Sequence, residues 1–232
     1  DGAAHHVVIR EDGSLVELAQ RAAHELEAWC VDVSSMDAGP VGAHLVLTGA
    51  DDSRLVGWDL RESPDAPPAF VNRRSHTAGV TAVACSPHAE WCLATGSYDE
   101  KVRIFDLRAA ARTPLSESEQ LGDGAYHVAW HPSWQNTLAV AAMRSGLPLL
   151  QVALDSGSSE MLEWARYAAD APEGAHGSLA YGVSWQAVPA REGAWHAASA
   201  SFYDRSIHIW SVSSKATHVE EAAERGLCEG KV

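Results

Sequence analysis

A hydroxyl, an imidazole and a carboxylate recur together three times along this chain of 232 residues. His24, Thr48 and Asp52 make the first set, with Trp58 following. His76, Thr95 and Asp99 make the second, with Phe105 in the aromatic place. His176, Asp204 and Trp210 make the third, with Ser199 or Ser201 as the hydroxyl. These are the groups of a nucleophilic triad, in which an imidazole takes the hydroxyl proton and a carboxylate orients the imidazole. A buried hydrogen-bond network uses the same groups in the same geometry, and the three sets are read as structural networks. Phe105 has no N–H to donate, so the second network is expected to be truncated. Other catalytic signatures are missing. Gly182-Val-Ser184-Trp185-Gln186 lacks the final glycine of a nucleophile elbow, and no H-E-x-x-H, P-loop or dinucleotide-binding glycine motif occurs. Cys30, Cys85, Cys92 and Cys228 form no C-x-x-C pair and have no histidine at zinc spacing. His5–His6 is an isolated pair. No metal or cofactor is expected.

The elements that carry these sets repeat. Thr48-Gly-Ala-Asp-Asp52-Ser-Arg-Leu-Val-Gly-Trp58-Asp-Leu-Arg61 aligns without a gap on Thr95-Gly-Ser-Tyr-Asp99-Glu-Lys-Val-Arg-Ile-Phe105-Asp-Leu-Arg108. A third copy runs Ser201-Phe-Tyr-Asp204-Arg-Ser-Ile207-His-Ile209-Trp210. A period near 40–45 residues with a Trp-Asp ending marks the blades of a WD-repeat β-propeller. The third blade reads as three short strands. Thr81–Ser86 alternates apolar and small residues, Pro87 ends it, Trp91–Thr95 follows, and Val102–Phe105 closes it after the Gly96–Asp99 turn. The fold expected is all-β: an incomplete propeller of about four full blades plus part of one, with upstream blades missing. Residues 1–23 supply the partial blade, and blades follow at 24–71, 72–117, 118–160 and 161–212. The fourth is degenerate, with Met143-Arg-Ser145-Gly146 where the aspartate turn should be. Residues 213–232 read as a polar C-terminal tail.

Composition narrows the partners. Apolar residues make up 46% and charged residues 21%, as in ordinary globular proteins. The net charge of −14 argues against nucleic acid, which needs a positive surface; Arg73–Arg74 is too small to count as a basic patch. No apolar run is long enough to cross a membrane, and residues 1–23 lack signal-peptide features. Cysteines read as small core residues fit a reducing compartment, so a cytoplasmic protein is expected. Of the nine tryptophans, most lie in strand patterns and read as core. Aromatic faces in an acidic cavity would also suit a quaternary ammonium group.

An ordered set of segments resembles one WD-repeat family. His76-Thr-Ala-Gly79-Val80, Ser86-Pro87-His88 and Leu93-Ala-Thr-Gly-Ser-Tyr-Asp-Glu100 are followed by Trp130-His131-Pro132 and Ala141-Ala-Met-Arg-Ser145-Gly146. Leu179-Ala-Tyr181-Gly182-Val-Ser-Trp185 and Ser201-Phe-Tyr-Asp204 complete the series. Together with His24–Asp59 upstream, they resemble the diphthine methyl ester esterase family, also called diphthine methyltransferase. The resemblance covers about residues 24–212. It departs at Phe105, where tryptophan is usual, and in the short segments 155–176 and 186–198. It implies hydrolysis of the methyl ester of methylated diphthine on elongation factor 2, ahead of the final amidation of diphthamide synthesis. Family-typical motifs then suggest His131 as general base or acid, with Tyr98, Tyr181 or Tyr203 donating to the oxyanion. The other function considered is a non-enzymatic WD adaptor. Trp58-Asp59-Leu60-Arg61 resembles the W-D-x-R box that docks on the adaptor of cullin-type ubiquitin ligases.

Overall fold

The computed structural model describes residues 2–34, 44–154, 160–167, 176–189 and 194–212. The tail expected at 213–232 lies outside them. The described residues form β-sheets and one short 3-10 turn at Leu107–Ala109. Strands β1 (Ala3–Ile9) and β2 (Leu15–Ala22) make a hairpin closed by Arg10 and Ser14. The second sheet holds β3 (Ala28–Val33), β4 (Leu45–Ala50), β5 (Leu55–Asp59) and β6 (Phe70–Asn72) in sequential order. The third holds β7 (Val80–Cys85), β8 (Cys92–Ser97), β9 (Val102–Asp106) and β10 (Pro114–Glu117). The fourth holds β11 (His127–Trp130), β12 (Thr137–Ala141), β13 (Leu147–Val152) and β14 (Met161–Tyr167). The fifth holds β15 (Ala180–Trp185), β16 (Trp195–Ser201) and β17 (Ser206–Val212). Every named pairing is antiparallel.

The sheets stack in chain order around a common axis. Their first strands are neighbours: β3 packs on β7, β7 on β11, and β11 on β15. The core lies between sheets. Leu45, Leu47 and Leu55 of the second pack on Leu93 and Phe105 of the third. Ile104 and Val102 of the third pack on Val128, Leu138 and Leu150 of the fourth. Leu147 and Leu149 of the fourth pack on Val183 and Trp210 of the fifth. Sheets buried on both faces read as continuous apolar runs, and β8 and β12 are buried at every position. At the two ends of the stack the pattern reverses. Ile9 and Leu15 of the first hairpin, and Ile207 and Ile209 of β17, are largely exposed.

One blade boundary departs from the repeat reading. β14 pairs with β13 from Leu147↔Tyr167 to Val152↔Met161, so residues 161–167 complete the fourth sheet, whereas the sequence opens the fifth blade at 161. β14 is an outer strand with one partner, and its exposed and half-buried residues carry no strong alternation to mark which sheet it joins.

Candidate functional site: an aromatic arc across four sheets

Three of the expected site residues meet in a chain of rings that crosses from sheet to sheet, joined by two that the sequence did not single out. Trp29 meets Tyr98 with ring centroids 6.3 Å apart and Tyr126 at 6.4 Å. Tyr98 meets Tyr126 at 6.2 Å, Tyr126 meets Tyr181 edge-on at 4.7 Å, and Tyr181 meets Tyr203 at 6.0 Å. These separations and tilts are those of favourable aromatic pairs. The arc draws one or two rings from each of the second to fifth sheets.

Two backbone devices aim the rings. The β3–β4 register skips between Ala28 and Cys30, and the β15–β16 register skips between Ala180 and Gly182. Trp29 and Tyr181 are the extra residues of these bulges, a feature that re-aims a side chain. Tyr126 sits just before β11, its N–H bonded to the Ala141 carbonyl. Tyr98 and Tyr203 come from hairpin turns, each immediately before the turn aspartate, Asp99 or Asp204. Asp51 holds the same place before Asp52, and its carboxylate accepts the Trp29 indole N–H at 3.2 Å. Two glycines seat the Tyr98 ring: a Cβ at Gly124 would lie 2.9 Å from its Cδ1, and one at Gly79 would lie 3.3 Å from its Cδ2.

The arc offers π faces, phenol hydroxyls and one carboxylate. Burial, with Tyr126 and Asp51 nearby, pushes the Tyr98 phenol above its ordinary value. Burial and a hydrogen bond with Tyr203 do the same to Tyr181. Both phenols therefore stay protonated at neutral pH and can donate. Aromatic faces beside a carboxylate attract an organic cation. Tyr203 is 63% exposed and Phe202, packed edge-on at 5.3 Å, is 75% exposed, so the fifth-sheet end of the arc is open. Desolvation keeps the thiols of Cys30, Cys85 and Cys92 protonated: it pushes Cys30 and Cys92 up to about 12 and raises Cys85 as well. Among the described residues no cluster of His, Cys, Asp and Glu could hold a metal.

His131 lies elsewhere. Tyr126 precedes β11 and His131 follows it, so a strand rise of ~3.3 Å per residue puts them roughly 16 Å apart. His131 is fully buried, stacked on Trp134 at 4.2 Å and met edge-on by Trp185 and Trp195. Its Nδ1 accepts the backbone N–H groups of Ser133 and Trp134. Desolvation lowers its pKa to about 4. This histidine ties a turn together inside an aromatic cage, at the opposite end of β11 from Tyr126.

The three hydroxyl–imidazole–carboxylate sets differ from one another. His24 Nε2 bonds Thr48 Oγ1 at 2.9 Å, and Nδ1 bonds Asp52 at 3.1 Å. His76 Nε2 bonds Thr95 Oγ1 at 2.9 Å, but its Nδ1 has no hydrogen-bond partner among the described residues, and Asp99 is held by Arg103 and the Thr77 N–H instead. His176 bonds Ser199 at 2.9 Å and Ser206 at 2.8 Å, while Asp204 accepts the N–H and hydroxyl of Ser206. The expected aromatic members stay outside: the buried indole N–H groups of Trp58 and Trp210 have no hydrogen-bond partner among the described residues. The Trp58–Arg61 segment forms a clasp, with Arg61 folded back on Asp59 at 2.6 Å. Arg108 makes the same clasp on Asp106 at 2.7 Å, after a phenylalanine.

Residues 70–106 match the family model described as WD domain, G-beta repeat. The chain is 32% identical over 188 residues to the diphthine methyltransferase of Homo sapiens, covering 79% of this chain and 38% of that protein. It is 29% identical over 213 residues to the diphthine methyltransferase homolog of Dictyostelium discoideum, covering 88% and 55%. It is a WD-repeat chain homologous to the diphthine methyltransferases. The relative in Saccharomyces cerevisiae is 28% identical over 233 residues, covering 91% of this chain and 54% of that protein. The chain thus spans between about two fifths and just over half the length of these relatives. A chain in a crystal structure of the mitotic checkpoint complex superposes with a TM-score of 0.70 at 20% identity, over 92% of this chain and 57% of that chain. That likeness shows the propeller fold alone. The WD-repeat match begins on β6, the outer strand of the second sheet, and ends on β9 of the third. Tyr126 and Trp29 escaped the sequence reading because neither lies in the repeated hairpin. The signal available was the place before each turn aspartate, filled by Asp51, Tyr98 and Tyr203.

Proposed function

We propose that this chain forms part of a methylesterase that acts on methylated diphthine of elongation factor 2 in the cytoplasm. Water adds to the ester carbonyl, the bond to the methoxy oxygen breaks, and methanol departs with a proton. The remaining carboxylate is then ready for the amidation that completes diphthamide. The observation that carries the reading is the aromatic arc with Asp51 at one end. The substrate side chain implied by the resemblance bears a trimethylammonium group, whose charge no hydrogen bond can reach, so π faces and a nearby carboxylate are the groups able to hold it. The phenols of Tyr98, Tyr181 and Tyr203 donate to the oxygen that gains charge as water adds. Similarity to the diphthine methyltransferases along most of the chain supports the same assignment.

The test is to incubate the protein with elongation factor 2 bearing methylated diphthine and follow loss of one methyl group by intact mass. A cation–π contact of ~0.5–2 kcal/mol corresponds to roughly 2- to 30-fold in affinity. Tyr126→Leu should therefore raise KM within that range while Tyr126→Phe, which keeps the π face, leaves it unchanged. Retention of the methyl group by folded protein defeats the esterase reading. Capture of a ubiquitin-ligase adaptor that is lost in Arg61→Ala would favour the adaptor instead.

A further inference from the structure

A second site lies on the outer rim between the second and third sheets. A groove of about 890 Å³ runs between the link from β6 to β7 and the link from β9 to β10. Phe70, Val71 and Pro114 give it an apolar lining, and Arg73, Arg74 and Arg112 give it charge. All three arginines are exposed, and none has a carboxylate partner among the described residues. Most other arginines here are neutralised: Arg54 pairs with Glu25, Arg61 with Asp59, Arg103 with Asp99, Arg108 with Asp106, and Arg166 with Glu163. Glu117 is the one carboxylate in the lining, and it is already engaged by Lys101 and Arg103.

The fold assembles this cluster from two segments far apart in sequence. Asn72 joins them. Its Oδ1 accepts the N–H groups of Arg74 and Ser75, turning that link so that both arginines stand outward. Its Nδ2 donates to the Ala111 carbonyl at 2.7 Å. Ala110 and Ala111 both take left-handed backbone, with φ of 54° and 46°, which residues with a Cβ rarely adopt. The Asn72 bond thus pins a strained pair just before Arg112, at the groove. The floor is set by Gly57, opposite Phe70 in the β5–β6 register, where a Cβ would lie 2.3 Å from the Phe70 ring.

We infer that this groove binds an acidic segment of a partner protein, rich in carboxylates or carrying phosphoryl groups. Three guanidinium groups lining one groove without counter-ions among the described residues repel one another, and a bound anion relieves that repulsion. Guanidinium forks match carboxylate and phosphoryl oxygens in pairs. The chain as a whole carries −14, so its general field repels acidic partners and a local positive groove fixes where one can dock. The apolar lining distinguishes the groove from a bare charge patch and suits the side chains interspersed in a peptide.

The test uses fluorescence anisotropy with two labelled peptides, one rich in glutamate and one of the same sequence carrying phosphoserine. Both should bind at low salt and weaken as salt is added. Arg73→Glu/Arg74→Glu/Arg112→Glu should bind at least about tenfold more weakly, since several charge-assisted contacts become repulsive. Arg10→Glu, on the first hairpin, should bind like the parent, and thermal melting checks that each variant is folded. Tighter binding of the phosphoserine peptide assigns the groove to phosphoryl groups, and equal binding assigns it to carboxylates; either upholds the inference. Absence of binding to both peptides, or equal loss in Arg10→Glu, overturns it. So does a single-stranded oligonucleotide of equal charge that binds more tightly than either peptide.

Discussion

The second and third sheets share a hairpin sequence, a turn aspartate and an Asp–Arg clasp, yet they hold the turn aspartate in different ways. In the second, His24 bridges Thr48 and Asp52, and the N–H groups of Glu25 and Arg54 also reach the carboxylate. In the third, one backbone N–H, that of Thr77, reaches Asp99, and Arg103 enters from β9, bonds both Asp99 oxygens and reaches Glu117, while His76 bonds Thr95. The blade needs its turn carboxylate satisfied; which cation does so is free to vary. The imidazole can lose the carboxylate altogether and the blade still forms.

The largest test of this contrast removes each arginine. Arg103 and Asp99 have side chains only 4% and 5% exposed. Arg103→Leu leaves the buried Asp99 carboxylate without a cation, on the Thr77 N–H alone, and should cost about 3 kcal/mol. Arg54→Leu should cost no more than about 1 kcal/mol, because Asp52 keeps His24 and two backbone donors. Urea unfolding of the pair measures both, and equal losses would contradict the rewiring.

A somewhat smaller effect follows from acid. Burial, with Arg103 close by, lowers the His76 pKa to about 4, against about 6.5 in an unfolded chain. The unfolded chain takes up a proton first as pH falls, so stability is intact above about pH 6.5 and lost between there and about pH 4. His76 contributes about 3 kcal/mol to that loss. His24 is also lowered by desolvation, but Asp52 opposes the shift, so its share is smaller. Melting temperatures across pH 4–7 for the parent, His76→Gln and His24→Gln separate the two; a steeper loss traced to His24 would reverse the ranking.

The smallest effects concern the aromatic place on the third strand of each sheet. Phe105 is wholly buried, and Phe105→Trp should cost about 1–3 kcal/mol through overpacking. Trp58→Phe should cost about 1 kcal/mol at most, since the indole N–H it removes has no acceptor among the described residues. Thermal denaturation of both variants checks the order.

What the sequence disclosed was local. The turn sequences around Asp52, Asp99 and Asp204 recur as near-copies, so the hairpins and the propeller followed from them. What it hid depended on pairing between distant strands. β14 declares its sheet only by lying beside β13. Trp29, in a strand pattern that reads as core, is 44% exposed because a bulge turns it outward. Tyr126 belongs to no repeated motif and enters the arc because β11 begins where it does. His131 stands five residues from Tyr126 in sequence, but an extended strand carries it to the far end of the sheet. Arg112 joins Arg73 and Arg74 only once Asn72 binds the carbonyl of Ala111.

The matched repeat at residues 70–106 takes its first strand from one sheet and its other three from the next. The unit of inheritance is therefore offset from the unit of architecture by one strand. Gaining or losing such a unit leaves no loose edge at the seam, because each copy hands its neighbour the strand that neighbour lacks. Blades can be multiplied along the chain while every sheet between them stays whole.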